Sequence, residues 1–195
     1  HISHADISAS YGWEDGGTVL ASYGNIVYSN STANPYSGSA ALALEEDPIG
    51  GTPNVTVAFI TGLQDGDVID ASFFGWDDTP GSNASIRIWA HYGTSDDATS
   101  YEGSAGGNNA YTSGEGWDEM SHQWTFDSDD GSRDALMIEV RFYASSSSFG
   151  PLYVDDLFVN VSNDNAQIIF PAAIPAPGAL ALLGLAGLGR RRRNG

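Results

Sequence analysis

Hydrophobic and polar residues alternate one by one along much of this chain, in short runs separated by Gly, Asp, Asn, Ser and Pro. A period of two places successive side chains on opposite faces of a strand, so each run predicts one β-strand. The clearest runs predict six strands, at 55–59, 69–74, 86–92, 122–126, 138–144 and 153–161. Weaker runs predict three more, at 18–20, 25–28 and 40–44. No stretch between residues 6 and 162 keeps the 3.6-residue period of a helix.

Short strands joined by turn residues predict an all-β fold, in which two antiparallel sheets pack face to face as a β-sandwich. One polar stretch of 24 residues, from Gly93 to Gly116, interrupts the strand pattern. A gap of that length predicts either a functional loop or a loop that contains an edge strand.

The charge of the chain is strongly negative and unevenly distributed. It has 25 acidic residues, seven arginines and no lysine, and four of the arginines are the consecutive residues 190–193. The body before them has three arginines against 25 acidic residues, a formal charge of −22. A surface this acidic repels phosphate backbones, which excludes nucleic acid as a partner. The absence of cysteine excludes disulfides, thiolate metal sites and a cysteine nucleophile.

The last residues of the chain differ from everything before them. Residues 178–189 contain only Gly, Ala and Leu, which is shorter than the ~20 residues of a stable transmembrane helix. Prolines precede this segment, and a basic cluster that stops membrane transfer follows it, made of Arg190, Arg191, Arg192 and Arg193. The order predicts a short hydrophobic helix that serves as a processed sorting signal. A weak C-terminal membrane anchor is the alternative.

Residues 174–195 resemble the PEP-CTERM sorting signal of Gram-negative-type bacteria, with Pro175, Ala176 and Pro177 at the place of its Pro-Glu-Pro motif. The resemblance implies transient insertion of the tail in the inner membrane and removal by an exosortase-type enzyme. The protein is then expected at the cell surface or in the extracellular space. At the other end, Ser3-His4-Ala5 is similar to a signal-peptidase site, so residues 1–5 are predicted to be a signal-peptide remnant.

The body carries a second resemblance, in three motifs: GWEDG at 12–16, YSGSAAL at 36–42 and YVDDL at 153–157. In this order they resemble jelly-roll carbohydrate-binding modules of the galactose-binding-like superfamily. The resemblance implies a jelly roll at 6–162, followed by a linker at 163–173, and a fibronectin-like or cadherin-like sandwich is the alternative. It also implies a structural calcium ion that joins Glu14 to Asp155 and Asp156.

The position of Asp155 agrees with a cation. Asp155 shares the parity of Leu157, Val159 and Val161, which are expected to face the core. A carboxylate that points inward is costly unless it is neutralised or coordinated, and Ca²⁺ takes six to eight oxygen ligands. The alternative is a strand that begins after Asp156, with both aspartates in a solvated turn.

One outer face is predicted to bind sugar. Aromatic rings stack on the C–H faces of sugars, while charged and polar side chains bind their hydroxyls. The residues of outward parity that offer this chemistry are Trp76, Arg87, Trp89, His91, Glu139, Arg141 and Tyr143. The alternative is a minor core, in which Trp89 packs beneath residues 93–116 and an arginine pairs with Glu139 across strands.

The chain is predicted not to be an enzyme. It contains no Gly-x-Ser-x-Gly, no His-Glu-x-x-His and no phosphate-binding P-loop. Two functions of different classes remain. One is a non-catalytic glycan-binding protein of an extracellular or biofilm matrix, with extracellular polysaccharide as partner. The other is a structural matrix protein that self-assembles as a homo-oligomer through strand edges and calcium.

Overall fold

The computed structural model describes residues 5–79, 84–144 and 150–172. These residues form two antiparallel six-stranded sheets that enclose a common core, which confirms the predicted all-β sandwich. The sorting signal predicted at 174–195, with its short helix, lies outside the described residues, and so do residues 1–4 of the predicted signal-peptide remnant.

The first sheet contains the N-terminal strand and the last long strand. Its strands are β1 (Ile7–Tyr11), β3 (Ile26–Ser31), β4 (Ala41–Glu46), β6 (Val68–Asp77), β9 (Gly116–Thr125) and β11 (Leu152–Val161). Their order is β3-β4-β11-β6-β9. Strand β4 pairs with the first half of β11, and β1 pairs with its second half.

The second sheet contains the two strands that carry most of the predicted sugar-binding residues. Its strands are β2 (Ala21–Tyr23), β5 (Asn54–Thr61), β7 (Ala84–Gly93), β8 (Ser104–Gly107), β10 (Ala135–Ala144) and β12 (Gln167–Ile169). Their order is β12-β5-β10-β7-β8, and β2 pairs with the first residues of β5.

The core lies between the sheets and contains most of the residues that the alternation predicts to face inward. On β5 the parity switches at a register shift against β10, so Ala58 and Ile60 join the core and Phe59 packs in a smaller cluster with Ala135 and Met137. On β6, Ile69, Ala71 and Phe73 are buried, whereas the residues between them are partly exposed. On β7, Ile86 and Ile88 are fully buried in the same way. Each large aliphatic or aromatic side chain that is buried contributes roughly 1.5–3 kcal/mol, so this alternation is the main force that holds the sheets together.

All six strands predicted from clear runs are present, as β5, β6, β7, β9, β10 and β11, and two of the weaker runs correspond to β3 and β4. No strand forms at 18–20, where the carbonyl of Thr18 accepts a hydrogen bond from the indole of Trp13. Strand β2 begins at Ala21 instead. The polar stretch from Gly93 to Gly116 contains the edge strand β8, which is one of its two predicted outcomes.

Residues 163–172 continue the sandwich, although the sequence predicted a linker there. Residues 167–169 pair with β5 as β12. The side-chain amide of Asn163 is buried and donates to the carboxylate of Asp67 at 2.7 Å, and the ring of Phe170 stacks on Tyr11 with centroids 5.6 Å apart. Ile168 and Phe170, which resemble the start of the hydrophobic tail, are packed against the core. None of the described residues belongs to a helix that is long and apolar enough to cross a membrane.

Candidate functional site

Six of the seven residues predicted to bind sugar lie on the outer face of the second sheet: Arg87, Trp89, His91, Glu139, Arg141 and Tyr143. Strands β7 and β10 are antiparallel neighbours, so that Trp89 lies opposite Glu139 and Arg87 lies opposite Arg141. The residues between them fill the core, and this fixes the outward direction of the six side chains.

Trp76 is the exception, because it lies on β6 in the first sheet. The outer faces of two packed sheets point in opposite directions, so Trp76 is not part of the predicted surface. Its ring contacts Trp117 edge to face at 5.7 Å, and Tyr36 and Phe74 extend this cluster. Alternation determines the face on which a side chain lies and does not determine its sheet.

A groove of about 500 Å³ crosses the outer face of the second sheet. Its floor comes from three neighbouring strands and is polar, with Asn54, Thr56, His91, Glu139 and Arg141. Tyr23, on β2, and Tyr101, in the loop before β8, line its two sides with exposed fractions of 73% and 65%. Exposed aromatic rings beside a polar floor are typical of a groove that binds a ligand.

Glu139 is the electrostatic centre of the groove floor. Its side chain is only 3% exposed, and its two oxygens contact Nδ1 of His91 at 2.5 Å and Nε of Arg141 at 3.1 Å. The Nε2 atom of His91 lies 3.1 Å from the carbonyl oxygen of Ser100, which can only accept a hydrogen bond. Both ring nitrogens therefore face acceptors, and both can donate only when the imidazole is positively charged. In that form, the buried carboxylate has two cationic neighbours.

Trp89 lies beside the groove and contacts two of the arginines and the edge strand β8. The Cζ atoms of Arg87 and Arg141 lie 4.3 and 4.5 Å from its ring centroid, and its indole N–H donates to the hydroxyl of Ser104 at 2.9 Å. Trp89 thus packs beneath residues 93–116, as the minor-core alternative predicted. Arg141 does pair with Glu139, but along its own strand and not across strands. Trp89 therefore supports the groove and does not present an open ring to a ligand.

The three residues predicted to bind calcium converge on one loop, residues 36–40. Asp155 accepts hydrogen bonds from the backbone N–H groups of Tyr36 and Ser37 at 2.9 and 3.1 Å, and Asp156 accepts one from the Ser37 hydroxyl. Glu14 accepts hydrogen bonds from the backbone N–H groups of residues 39 and 40 and from the hydroxyl of residue 39. The opening segment and the last long strand therefore hold this loop together.

Asp155 is fully buried, as expected, but the cause is a β-bulge. The register of β11 against β6 shifts between Asp155 and Phe158, and Asp156 has a positive φ of 48°. Because of the bulge, the parity of the buried residues changes along the strand: Val154 is buried before the bulge and Leu157 after it. Strand β11 begins at Leu152, so the alternative of a solvated turn is wrong. Burial, with a smaller contribution from the neighbouring Asp156, raises the pKa of Asp155, although three backbone hydrogen bonds oppose the shift.

One carboxylate oxygen of Asp155 and one of Asp156 both lie next to Gly12. A Cβ atom on Gly12 would lie 3.7 Å from Oδ1 of Asp155 and 3.6 Å from Oδ1 of Asp156, with nothing else within 4 Å outside its chain neighbours. Carboxylate oxygens are ligands that Ca²⁺ prefers, but these two already accept hydrogen bonds, from the backbone N–H of Asp156 and from the hydroxyl of Ser37, so an ion here would share them. Both oxygens of Glu14 are already used by the loop. Within the described ranges, no three acidic or histidine side chains are close enough to hold a metal, so backbone oxygens or water would complete this site.

Sequence reasoning did not find Tyr23, Tyr101, Asn54 or Thr56 as groove residues. Tyr23 ends a strand of three residues, which is too short to show alternation, and Tyr101 lies in the polar stretch without a period. Asn54 and Thr56 did carry a signal, since they alternate with the buried Val55. Their importance depends on the pairing of β5 with β10, which the sequence does not show.

No protein-family model and no curated protein sequence matches this chain. Solved structures share its fold. The CBM22-1 xylan-binding domain of Paenibacillus barcinonensis Xyn10C matches with a TM-score of 0.54 and 14% identity over 82% of this chain and 97% of that domain. The CBM22-2 xylan-binding domain of the same protein gives 0.53 and 14%, over 83% of this chain and 98% of that domain. The body of this chain thus has the β-sandwich fold of carbohydrate-binding modules, which confirms that part of the predicted resemblance.

Proposed function

We propose that this chain is a non-catalytic module that binds an extracellular polysaccharide along the groove of the second sheet. The observation that carries the proposal is the pair of exposed tyrosines, Tyr23 and Tyr101, on the two sides of a polar floor. Their rings can stack on sugar rings while the floor binds hydroxyl groups. The likeness in fold to xylan-binding domains supports a polymeric carbohydrate as the ligand.

The groove floor favours binding without cleavage. Glycoside hydrolysis generally uses two carboxyl groups on either side of the scissile bond. Glu139 is the one acid among the described residues that line the groove. Both of its oxygens are occupied by protein groups, the ring of His91 and the guanidinium of Arg141, so neither is free to act on a substrate.

Replacing Tyr23 or Tyr101 by alanine is expected to weaken polysaccharide binding about tenfold, which corresponds to about 1.4 kcal/mol. Each change removes one exposed ring and leaves the core untouched. Isothermal titration calorimetry against a panel of soluble polysaccharides, with xylan among them, measures the effect. Tyr28→Ala is the matched control, because Tyr28 is exposed on β3 in the other sheet and binding should be unchanged.

Equal affinities for the wild type and both groove variants would place the ligand elsewhere on the molecule. If no polysaccharide in the panel binds, and light scattering shows assembly that grows with protein concentration, the structural matrix role replaces the proposed one.

We further propose that the protein is exported and that residues 174–195 direct it to the cell surface through an exosortase-type enzyme. The apolar segment followed by four arginines supports this. Deleting 174–195 is expected to leave the protein in the periplasm, as cell fractionation would show. Replacing only Arg190, Arg191, Arg192 and Arg193 by glutamine keeps the length of the tail and tests the basic cluster alone. Normal surface delivery of the truncated protein would contradict the proposal.

We also propose that Ca²⁺ binds Asp155 and Asp156 beside Gly12. The raised pKa of Asp155 supports this, because a buried carboxylate next to a second acid is stabilised by a cation. The ion would neutralise the two side chains, while Glu14 acts on the loop 36–40 and not on the ion.

A further inference from the structure

Arg87 and Arg141 lie directly opposite each other on neighbouring strands of the second sheet. Like charges at directly opposed positions destabilise a sheet. Both guanidinium groups lie over the same indole ring, that of Trp89. Cation–π contacts attract each arginine to the ring but supply no negative charge, and the nearby carboxylate, that of Glu139, pairs with Arg141 and not with Arg87.

Arg87 has no acidic partner among the described residues. Its guanidinium lies between the rings of Trp89 and Tyr111, with the Cζ atom 4.8 Å from the Tyr111 centroid. Its buried Nε atom makes no hydrogen bond within the described part of the chain, and neither does that of Arg133, so the two arginines differ in their acidic partners and not in Nε. Arg141 uses only Nε, which donates to Glu139, and the same carboxylate also contacts His91. The outer face of this sheet therefore carries more positive than negative charge, in a body of formal charge −22.

Arg133, the third arginine of the body, does have acidic partners. Its terminal nitrogens lie 3.9 and 3.4 Å from the carboxylates of Asp127 and Asp129, and its Cζ atom lies 4.5 Å from the ring centroid of Tyr92. With 25 acidic residues in the body, a carboxylate partner is readily supplied. An arginine that lacks one, opposite a second arginine, indicates a place for an external anion.

We propose that the polysaccharide bound by this protein is anionic and that Arg87 and Arg141 bind a carboxylate or sulfate group on it. This inference rests on the proposed function of the groove. Arg141 lines the groove, and Arg87 lies beside it against the same Trp89 ring, so acidic groups along a bound polymer can meet Arg141 in the groove and Arg87 next to it. Guanidinium groups present a planar fork of N–H donors that matches the oxygens of these anions.

The aromatic surroundings of the two arginines suit a charged sugar. Tyr111 and Tyr143 are 37% and 39% exposed, and their ring centroids are 6.1 Å apart beside Arg87. A sugar ring can pack on these rings while its acidic group meets the guanidinium groups. The negative charge of the rest of the body is screened beyond ~8 Å at physiological ionic strength, so it does not cancel a direct contact.

Three forms of one polymer test the inference with the full chain: glucuronoxylan, the same xylan after its carboxyl groups are reduced to alcohols, and a sulfated derivative of that reduced xylan. Isothermal titration calorimetry is expected to show at least tenfold tighter binding of an acidic form than of the neutral form. Comparison of the two acidic forms distinguishes a carboxylate from a sulfate as the group that is bound.

The preference for the acidic polymer is expected to disappear in Arg87→Gln and Arg141→Gln and to persist in Arg133→Gln, the matched control. Arg87→Lys keeps the charge and the apolar stem, so it should retain part of the preference and show that the loss is not a folding defect. Equal binding of acidic and neutral polymers by the wild type would overturn this inference and leave the proposed function intact. Absence of binding to any glycan would overturn both.

Discussion

Glu139→Ala is expected to lower the free energy of unfolding by about 3 kcal/mol or more at neutral pH. The change removes the shared carboxylate and leaves His91 and Arg141 without their negative partner in a largely buried position. It also removes the hydrogen-bond partner of Nδ1 of His91, which then lies unpaired in the groove floor. Urea denaturation followed by tryptophan fluorescence measures the effect.

Glu119→Ala is the matched control for this prediction. Glu119 is an exposed glutamate on β9, also in a long strand, and its loss should change stability by no more than about 0.5 kcal/mol. Glu139→Gln keeps the shape of the side chain and one acceptor oxygen, so its loss of unfolding free energy should lie between those of Glu139→Ala and Glu119→Ala. If Glu139→Ala and Glu119→Ala destabilise the protein equally, the ionic contacts in the groove floor do not contribute to folding.

Calcium at about 100 times its dissociation constant is expected to raise the free energy of unfolding by about 2.7 kcal/mol. The ion should offset both the repulsion between the carboxylates of Asp155 and Asp156 and the desolvation cost of burying the charged Asp155. Calorimetric Tm values in NaCl, MgCl₂ and CaCl₂ at equal ionic strength measure the effect. Equal Tm values in the three salts would mean that there is no specific calcium site.

Asp155→Asn separates the calcium site from general screening. It should remove most of the calcium response and keep the response to NaCl, since the latter depends only on the net charge of the body. The pH dependence gives a second check. Because the folded-state pKa of Asp155 is raised, its stabilising contribution is present below the ordinary aspartate pKa and is lost as pH rises through the folded value. Bound calcium should reduce this loss, and an unchanged pH profile would contradict the site.

The sandwich and most of its predicted surface follow from alternation alone. Strands β6 and β7 bury mainly residues of one parity, which is a local property of the sequence, whereas β5 and the first half of β10 are buried on both faces. Arg87, Trp89 and His91 share the outward parity of β7, and Glu139 and Arg141 share that of β10. Their meeting on one face then needs only the pairing of these two strands.

Features that depend on which strands are neighbours in a sheet could not be predicted from the sequence. Trp76 has the right parity but belongs to the first sheet, and Tyr101 reaches the groove because its loop folds back along β7. The burial of Asp155 depends on a bulge in a strand whose two halves have different partners on one side. Trp13 is fully buried in the core with φ of 59°, and a single aromatic residue in a turn shows no period at all.

The C-terminal end of the sandwich has a mechanical consequence for the chain that follows it. Strand β12 has three residues, forms an edge of the second sheet and pairs with β5. Immediately after it, Phe170 stacks on Tyr11 of the opposite sheet. Tension on the chain beyond Ala172 therefore loads this stacking contact and a three-residue edge ladder first, while β11 lies behind them. Under such a load, β12 is expected to separate from β5 before the long strands separate, so this short segment is the mechanically weakest part between the tail and the sandwich.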